Sequence, residues 1–235
     1  MQIGTEDVPF TSRLTITLHG DKFSPEIPIY GNKVIAGRNA DIEIHGKPRS
    51  KTWTELEETA QAGQSAITLN TAVDWEADEW IVLAPTSFSK GEAEKRQIHS
   101  VDNANPDKPV ITLTSALSYE HYAGVTDYGN GDILEMRGEV GLLTRNVLIQ
   151  GDPETSARNR FGAHIMLHSK GDESVVGKLE YFEMKDVGQA FQLGRYPVHF
   201  HMIGTVSKSY IRGLSIHQTY NRACTIHGVH YLRIE

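Results

Sequence analysis

Cysteine is nearly absent from this sequence of 235 residues. Cys224 is the only one, so the chain cannot form an internal disulfide. The residues around it, Ala223 to Ile226, have the character of a buried strand. We therefore expect a buried thiol rather than a nucleophile, because free cysteines pack mostly as small apolar side chains.

Long hydrophobic runs and a targeting sequence are also missing. No stretch approaches the roughly 18 apolar residues that a membrane-spanning helix needs, and the N-terminus lacks a basic segment followed by an apolar one. The composition, with 39% hydrophobic residues, 21 glycines and 9 prolines, is that of a globular chain. We expect this segment to be soluble and to make no membrane contact itself.

Positive charge is scarce overall and unevenly distributed. The net charge of −7 argues against a general nucleic-acid binder, so no nucleic-acid partner is expected. Residues 1–136 hold 11 basic and 21 acidic side chains, whereas residues 137–235 hold 12 basic and 9 acidic ones, together with seven of the eleven histidines. An anionic ligand is therefore expected to bind the second half.

Several catalytic motifs are missing as well. The chain has no glycine-rich phosphate loop, no CxxC pair and no serine-nucleophile motif. His164 and His168 are four residues apart, but no glutamate follows the first histidine as in the HExxH motif of zinc proteases. These absences argue against nucleotide-binding, thiol-redox, serine-hydrolase and zinc-protease functions.

Short strands separated by turns dominate what is present. Apolar and polar residues alternate from Arg13 to His19, and further strand-like runs recur every 8–12 residues, which is typical of sandwiches, barrels and solenoids. Residues Thr52 to Ala62 are the one helix candidate, with Thr54 as the cap and Glu57 three residues later.

The spacing of apolar residues changes after Ile133. Equivalent apolar positions from Leu148 onward lie 31, 32 and 21 residues apart, which indicates coils of about 20 residues lengthened by loops. The fold class predicted is all-β: a right-handed parallel β-helix over residues 137–235, preceded by a β-rich domain with one short helix over residues 1–136. The last strand stops at Glu235, so we expect the solenoid to continue in a longer protein.

The stretch Gly194–Gly204 (GRYPVHFHMIG) carries the sharpest local pattern. Strand alternation after Pro197 places His199 and His201 on one face, and Val198, Phe200 and Met202 on the other. Two neighbouring imidazoles can share a metal, a carboxylate or a sugar hydroxyl, and Arg195 adds a positive charge just upstream. The pattern is equally typical of a hydrogen-bonded polar face with a purely structural role.

Four ordered blocks of sequence carry a resemblance to a known family. The blocks are WTELEETAQAGQSAITLNTAVDWEADEWIVLAPTSF, EMRGEVGLLTRNVLIQGD, GRYPVHFHMIG and YIRGLSIHQTYNRACTIHGVHYL. They resemble the fibrocystin-like proteins of the polycystic kidney and hepatic disease family, which are large cell-surface proteins. They also resemble blocks of cell-surface hyaluronidase and of the cell migration-inducing hyaluronan-binding protein.

The resemblance implies both an architecture and a location. It implies that residues 1–136 correspond to the later part of an eight-glycine domain, that parallel β-helix repeats follow, and that the chain belongs to a large extracellular or cell-surface protein. The runs Ala190–Arg195 and Asn221–Ala223 favour the fibrocystin side. The loop Asp152–Arg160 is short and cysteine-free, whereas relatives often have a longer, cysteine-bearing insertion there, and the hyaluronidases have a longer segment at Thr205–Lys208. Both departures weaken a direct transfer of hyaluronan chemistry.

The candidate binding and catalytic residues lie mainly in the histidine-rich half. Arg137, Glu139 and Arg145 could border a groove, or could form ordinary surface ion pairs. Glycoside hydrolysis needs two flanking carboxylates, for which only Glu180, Glu183 and Asp186 are available nearby. A lyase needs a base and a group that neutralises a uronate. The ligand-binding candidates are Arg137, Glu139, Arg195, His199, His201, His217 and His227, and the catalytic candidates are Arg195, His199, His201 and His217.

A divalent cation is a possible cofactor of this half. His199 and His201 are the candidate ligands, and imidazoles suit zinc or copper. Calcium would instead require oxygen ligands, such as those of Asp186 or Asn221.

Two functions compete at this stage. The preferred one is a non-catalytic extracellular module of a fibrocystin-like protein, which presents a surface to an anionic glycan or to another cell-surface protein. The alternative is an enzyme that degrades a hyaluronan-like polysaccharide along the β-helix groove, either as a glycosidase or as a lyase.

Overall fold

The chain is almost entirely β-structure, as a computed structural model of residues 1–235 shows. Strands β1–β4 are Gln2–Ile3, Leu14–Leu18, Val34–Gly37 and Asp41–His45. Strands β5–β12 are Trp53–Glu55, Ala66–Thr68, Trp80–Leu83, Glu94–Asp102, Val110–Leu113, Ala123–Asp127, Ile133–Arg137 and Glu139–Leu142. Strands β13–β21 are Val147–Gly151, His164–His168, Val176–Glu180, Glu183–Val187, Val198–Thr205, Tyr210–Arg212, Ser215–Thr219, Cys224–His230 and Arg233–Ile234. The helix α1 covers Pro153–Asn159, and a 3-10 turn covers Lys90–Glu92.

The first of two compact units is a parallel β-helix, formed by Met1–Pro48 together with Arg145–Glu235. Sheet one has the order β2-β13-β16-β19, sheet two β3-β14-β17-β20, and sheet three β1-β4-β15-β18-β21. Neighbouring strands in all three sheets run parallel. Each coil adds one strand to each sheet, so the predicted all-β chain with a parallel β-helix is confirmed.

The length of a coil varies along the solenoid. Leu148 pairs with Glu183 and Glu183 with Ser215, so one coil takes 35 residues and the next takes 32. The step from Ile211 to its partner Ile234 takes only 23 residues. The coils therefore agree with the expected length of about 20 residues, lengthened by loops, and each holds three strands. Leu148 and Leu179 lie in different sheets, whereas Leu179 and Ile211 are true partners in sheet three.

The two units divide the chain differently from the predicted boundary between residues 136 and 137. Strands β2, β3 and β4 form the first coil, and they pair directly with β13, β14 and β15 of the second coil. In the sequence, the second unit, Arg49–Thr144, therefore follows the last strand of the first coil and precedes the first strand of the second coil. Local sequence patterns do not reveal this arrangement, because the pairing joins strands more than a hundred residues apart.

Stacked apolar side chains form the core of the β-helix. Pairing in register places Ile16, Ile149, Met184 and Ile216 in one column of sheet one, and Leu167 directly beside Phe200 in sheet two. Ile149, Met184, Leu167 and Phe200 are fully buried or nearly so. Each such side chain contributes roughly 1.5–3 kcal/mol by leaving water.

The second unit is an antiparallel sheet of six strands with the order β5-β12-β7-β8-β9-β6, accompanied by the hairpin β10-β11. A bridge between Leu56 and Leu69, the residues that follow β5 and β6, joins the two edge strands. Both leucines are fully buried, together with Ile81 and Ile98. The unit therefore has a hydrophobic core of its own.

The helix predicted over Thr52–Ala62 is wrong. Residues Trp53–Glu55 form β5 and pair with Gly141–Glu139 of β12. Thr54 and Leu56 are buried whereas Trp53 is exposed, which is the two-residue period of a strand. Tertiary pairing here outweighs the local helix propensity of the glutamates and alanines.

The helix of this chain lies instead at Pro153–Asn159, in the loop that follows β13. The Asp152 carboxylate accepts a hydrogen bond from the Glu154 amide, and Pro153 occupies the first turn, which are common signals of a helix start. The helix has only seven residues, and no helix of this chain is long and apolar enough to cross a membrane.

Cys224 is exposed, so the prediction of a buried thiol is wrong. Its register partner Val198 points into the core, as does Phe200, the partner of Ile226. Cys224 and Ile226 therefore stand at the positions of β20 that correspond to the inward-facing Val198 and Phe200 of β17. They are nevertheless exposed, because β20 is the edge strand of sheet two. No further strand of this chain covers that side.

We predict that Phe200→Ala destabilises the β-helix by about 3–5 kcal/mol, because it leaves a cavity in the stacked core. Phe191→Ala is the matched control, since the Phe191 side chain is 95% exposed and that of Phe200 is 0% exposed. Urea unfolding followed by circular dichroism measures both changes. Equal losses for the two variants would contradict the core described here.

Candidate functional site

Strand β17 orients the two histidines that the sequence singled out. Val198 and Phe200 are fully buried in the core, so His199 and His201 point away from it. The predicted alternation breaks down after His201, where the register with β20 shifts. Met202 has a φ of 54° and is half exposed, so it does not share the apolar face as predicted. Ile203 returns to the core instead.

The outer face of sheet two carries a column of imidazoles, here called the histidine ladder. Parallel register places His168 of β14 beside His201 of β17, and His201 beside His227 of β20. The ring centroids are 5.2 Å and 5.0 Å apart. Tyr30 extends the column, because its hydroxyl lies 3.4 Å from Nδ1 of His168. His168 was not predicted to be part of this group, because only the pairing between coils reveals it.

His199 lies beside the ladder and is held in one tautomer. Its Nδ1–H donates a hydrogen bond of 2.9 Å to the carbonyl of Gly194, so the lone pair of Nε2 is free. That Nε2 atom is buried and has no hydrogen-bond partner, and the residue is only 3% exposed. Burial, with smaller contributions from His201, His227 and Arg195, lowers the pKa of His199 to about 4. The ring is therefore neutral at physiological pH.

Three of these imidazoles converge. One ring nitrogen from each of His199, His201 and His227 lies within 4.8 Å of the other two. The Nδ1 atoms of His201 and His227 are 3.1 Å apart. Three imidazole rings this close can hold a transition-metal ion or form several hydrogen bonds with one polar ligand.

Two adjoining cavities open beside the cluster. The smaller, of about 340 Å³, is lined by Leu193, Gly194, Tyr196, His199, His201, Arg222, Thr225, Ile226 and His227. The larger, of about 650 Å³, is lined by Arg160, Ala190, Phe191, Gln192, Leu193, Tyr196, Thr219, Tyr220, Asn221 and Arg222. They share Leu193, Tyr196 and Arg222, so they form one continuous concave surface, here called the histidine groove. None of these residues is acidic.

The remaining predicted site residues do not line the histidine groove. His217 is on sheet one and contacts Glu183, with 2.8 Å between Nε2 and Oε1. Arg145 donates from its amide to the same Glu183 carboxylate. Arg195 donates to the carbonyl of Ile29 at 2.8 Å, and its charge acts on His199.

Arg137 and Glu139 belong to the inserted unit. Arg137 donates to the backbone of Leu56 and pairs with the Glu57 carboxylate there, while Glu139 stands opposite Glu55 in the register of β12 and β5. Neither residue lines the histidine groove.

The three candidate carboxylates each have a structural partner. Glu180 binds His45 at 2.6 Å and Arg212 at 3.1 Å. Asp186 accepts a hydrogen bond of 2.8 Å from the Tyr220 hydroxyl. Together with Glu183, which is paired with His217, these carboxylates lie on sheets one and three rather than on sheet two. They do not form the pair of flanking acids that glycoside hydrolysis requires.

Comparison with known proteins finds similarity to segments of much longer chains. Residues 1–57 match the G8 domain model, and residues 160–235 match the CEMIP β-helix model. Fibrocystin-L of Mus musculus is 41% identical over 100% of this chain, and that of Homo sapiens is 40% identical over the same share. The chain is similar to one segment of fibrocystin-L. It spans 6% of the length of these two relatives.

More distant likenesses extend to other organisms. A G8 domain-containing protein of Dictyostelium discoideum is 30% identical over 96% of this chain and 14% of the relative. Among solved structures, the tailspike of Pseudomonas phage phi297 covers 94% of this chain and 41% of its own, with 12% identity and a TM-score of 0.30. With so low a score, the assignment of a β-helix rests on the strand pairing described above.

We predict that His164→Gln reduces the loss of stability on acidification. The imidazole is fully buried, and its Nε2–H donates to the carbonyl of Tyr30 at 3.0 Å. Burial lowers its pKa from 6.5 to about 4. Between pH 6.5 and about pH 4, the unfolded chain takes up a proton at this histidine that the folded chain does not. The free energy of unfolding is therefore highest above the unfolded pKa and decreases as the pH falls towards 4.

At pH 5 this effect amounts to at most about 2 kcal/mol. Glutamine keeps a donor for Tyr30 but does not titrate. Urea unfolding at pH 7 and pH 5 should therefore show a smaller difference for His164→Gln than for the wild type. An unchanged difference would exclude His164 as a source of acid sensitivity.

Proposed function

We propose that this chain is a ligand-binding and structural module of a large extracellular, cell-surface protein, and that its ligand is an anionic glycan held in the histidine groove. The observation that carries the proposal is the composition of that groove. It is lined by arginine, histidine and aromatic side chains, and no carboxylate lines it.

The two arginines of the groove are available to a ligand. Arg160 and Arg222 are both exposed, and neither forms an ion pair with a carboxylate of this chain. Guanidinium groups bind carboxylates through two parallel hydrogen bonds, which is the recognition that a uronate requires. Their charge would also attract a polyanion to a protein whose net charge is −7.

Aromatic and amide side chains supply the rest of a saccharide site. Tyr196 and Tyr220 line the groove, and Phe191 stands almost fully exposed at its border. Asn221 donates to the carbonyls of Gln189 and Gln192, so it fixes the loop that carries Phe191. Concave surfaces that combine apolar rings with a few polar groups are typical of small-ligand sites.

Cleavage of a hyaluronan-like polysaccharide is the second candidate function. The free Nε2 of His199 beside Arg222 offers a base and a cation, as a lyase would need. A pKa of about 4 makes His199 a weak proton acceptor at neutral pH. The groove also lacks the acid pair of a glycosidase. Binding without cleavage is therefore the better supported function.

We predict that Arg222→Gln weakens binding to hyaluronan oligosaccharides about tenfold, because a charge-assisted bidentate contact is worth roughly 1.4 kcal/mol. Isothermal titration calorimetry at low and moderate salt measures the change. Arg158→Gln is the matched control, since Arg158 is exposed on α1 but lines neither cavity. Neutral dextran serves as the ligand control.

Gel analysis of the polysaccharide after incubation, with and without calcium, separates the two functions. Intact chains together with binding that depends on Arg222 support a binding module. Shortened chains would contradict a non-catalytic role. Failure to bind hyaluronan, or equal binding to dextran, would overturn the groove as an anionic-glycan site.

A further inference from the structure

The geometry points to a metal site: we propose that His199, His201 and His227 together bind one divalent transition-metal ion of the zinc class. The sequence offered only the first two of these residues as neighbours. The third arrives from the next coil, because β20 pairs with β17 and places His227 beside His201. One nitrogen from each ring lies within 4.8 Å of the others.

The separation of one pair of ring nitrogens suits a tetrahedral ion. With Zn–N bonds of about 2.0–2.1 Å, two nitrogen ligands of one zinc ion lie roughly 3.3 Å apart. The Nδ1 atoms of His201 and His227 are already 3.1 Å apart. Without an ion, the two Nδ1 atoms can form a hydrogen bond only if one of them is protonated. Only the other Nδ1 atom then accepts through its lone pair. A cation between the rings satisfies both nitrogens.

His199 has the hydrogen-bonding arrangement of a prepared ligand. Histidine ligands of metals usually donate their second N–H to a carbonyl or carboxylate, which fixes the tautomer and the ring plane. The Nδ1–H of His199 donates in this way to the carbonyl of Gly194. Its Nε2 is buried without a partner. An orphaned buried acceptor is costly unless something fills it, and a metal ion is a ligand that would do so.

Donor chemistry selects the class of metal. All three donors are imidazole nitrogens, which suit zinc and copper, whereas calcium and magnesium require oxygen ligands. No carboxylate lines the smaller cavity, so nothing there would supply those oxygens. Arg195 and Arg222 lie nearby. Their positive charges would repel calcium or magnesium, which are held mainly by electrostatic attraction.

Three protein ligands leave a fourth coordination position open towards the smaller cavity. Such sites hold water or an exogenous ligand, whereas structural zinc sites have four protein ligands. The proposed ion would therefore be accessible from the groove. The site itself does not depend on whether the groove binds a glycan, so failure of either proposal leaves the other intact.

Direct titration with Zn²⁺ tests the site. The purified chain, first treated with a chelator, should bind one Zn²⁺ per chain in calorimetry, and bound Zn²⁺ should raise the melting temperature. His227→Gln should weaken binding by at least about 100-fold, since even loss of a supporting residue costs 10–100-fold. His227 is exposed, so this variant is expected to fold, and circular dichroism checks that it does.

His230→Gln is the matched control, because His230 is an exposed histidine of the same strand outside the cluster. It should leave Zn²⁺ affinity unchanged. Co²⁺ provides a spectroscopic readout: visible bands of four-coordinate cobalt should appear in the wild type and in Cys224→Ser, and disappear in His227→Gln. Absence of Zn²⁺ binding, equal affinity in His227→Gln and the wild type, or dependence of the cobalt bands on Cys224 would each overturn the proposal.

Discussion

In-register pairing between parallel strands of successive coils is the constraint on which the structure depends. It places equivalent positions of successive coils directly above one another. An inward-facing apolar residue in one coil therefore packs on an inward-facing apolar residue of the next, as Ile149 does on Met184. The same rule operates on the outer face. A single column therefore holds His168, His201 and His227 at the spacing of neighbouring strands. The same in-register pairing therefore aligns both the core residues and the residues of the candidate site.

Much of this architecture was predictable from local sequence, because strand alternation is a local property. The opposite orientations of His199 and Phe200 follow from their adjacency alone. The solenoid also left a sequence signal, since the 32-residue step from Leu179 to Ile211 is a true pairing. The step from Leu148 to Leu179 was misleading, because apolar residues in different sheets look alike in the sequence.

The features that could not be predicted depend on contacts between residues that are far apart in the sequence. His227 enters the cluster only through the pairing of β20 with β17, and His217, which lies on a similar strand, faces Glu183 on another sheet. The strand at Trp53–Glu55 was mistaken for a helix because its partner, β12, lies more than eighty residues away. The similarity to a segment of fibrocystin-L does not reveal the groove, the tautomer of His199 or the partners of the carboxylates, which come from the structure.

The inserted sequence begins and ends close to one hydrogen bond of the β-helix. The amide of Lys47, which follows the last strand of the first coil, donates to the side chain of Asn146, which precedes the first strand of the second coil. The chain thus leaves and re-enters the solenoid at a single hydrogen-bonded junction. Such a junction uncouples the inserted sequence from the coil geometry: segments of different length could be exchanged there during evolution, or by a protein engineer, while the stacked coils on either side keep their pairing.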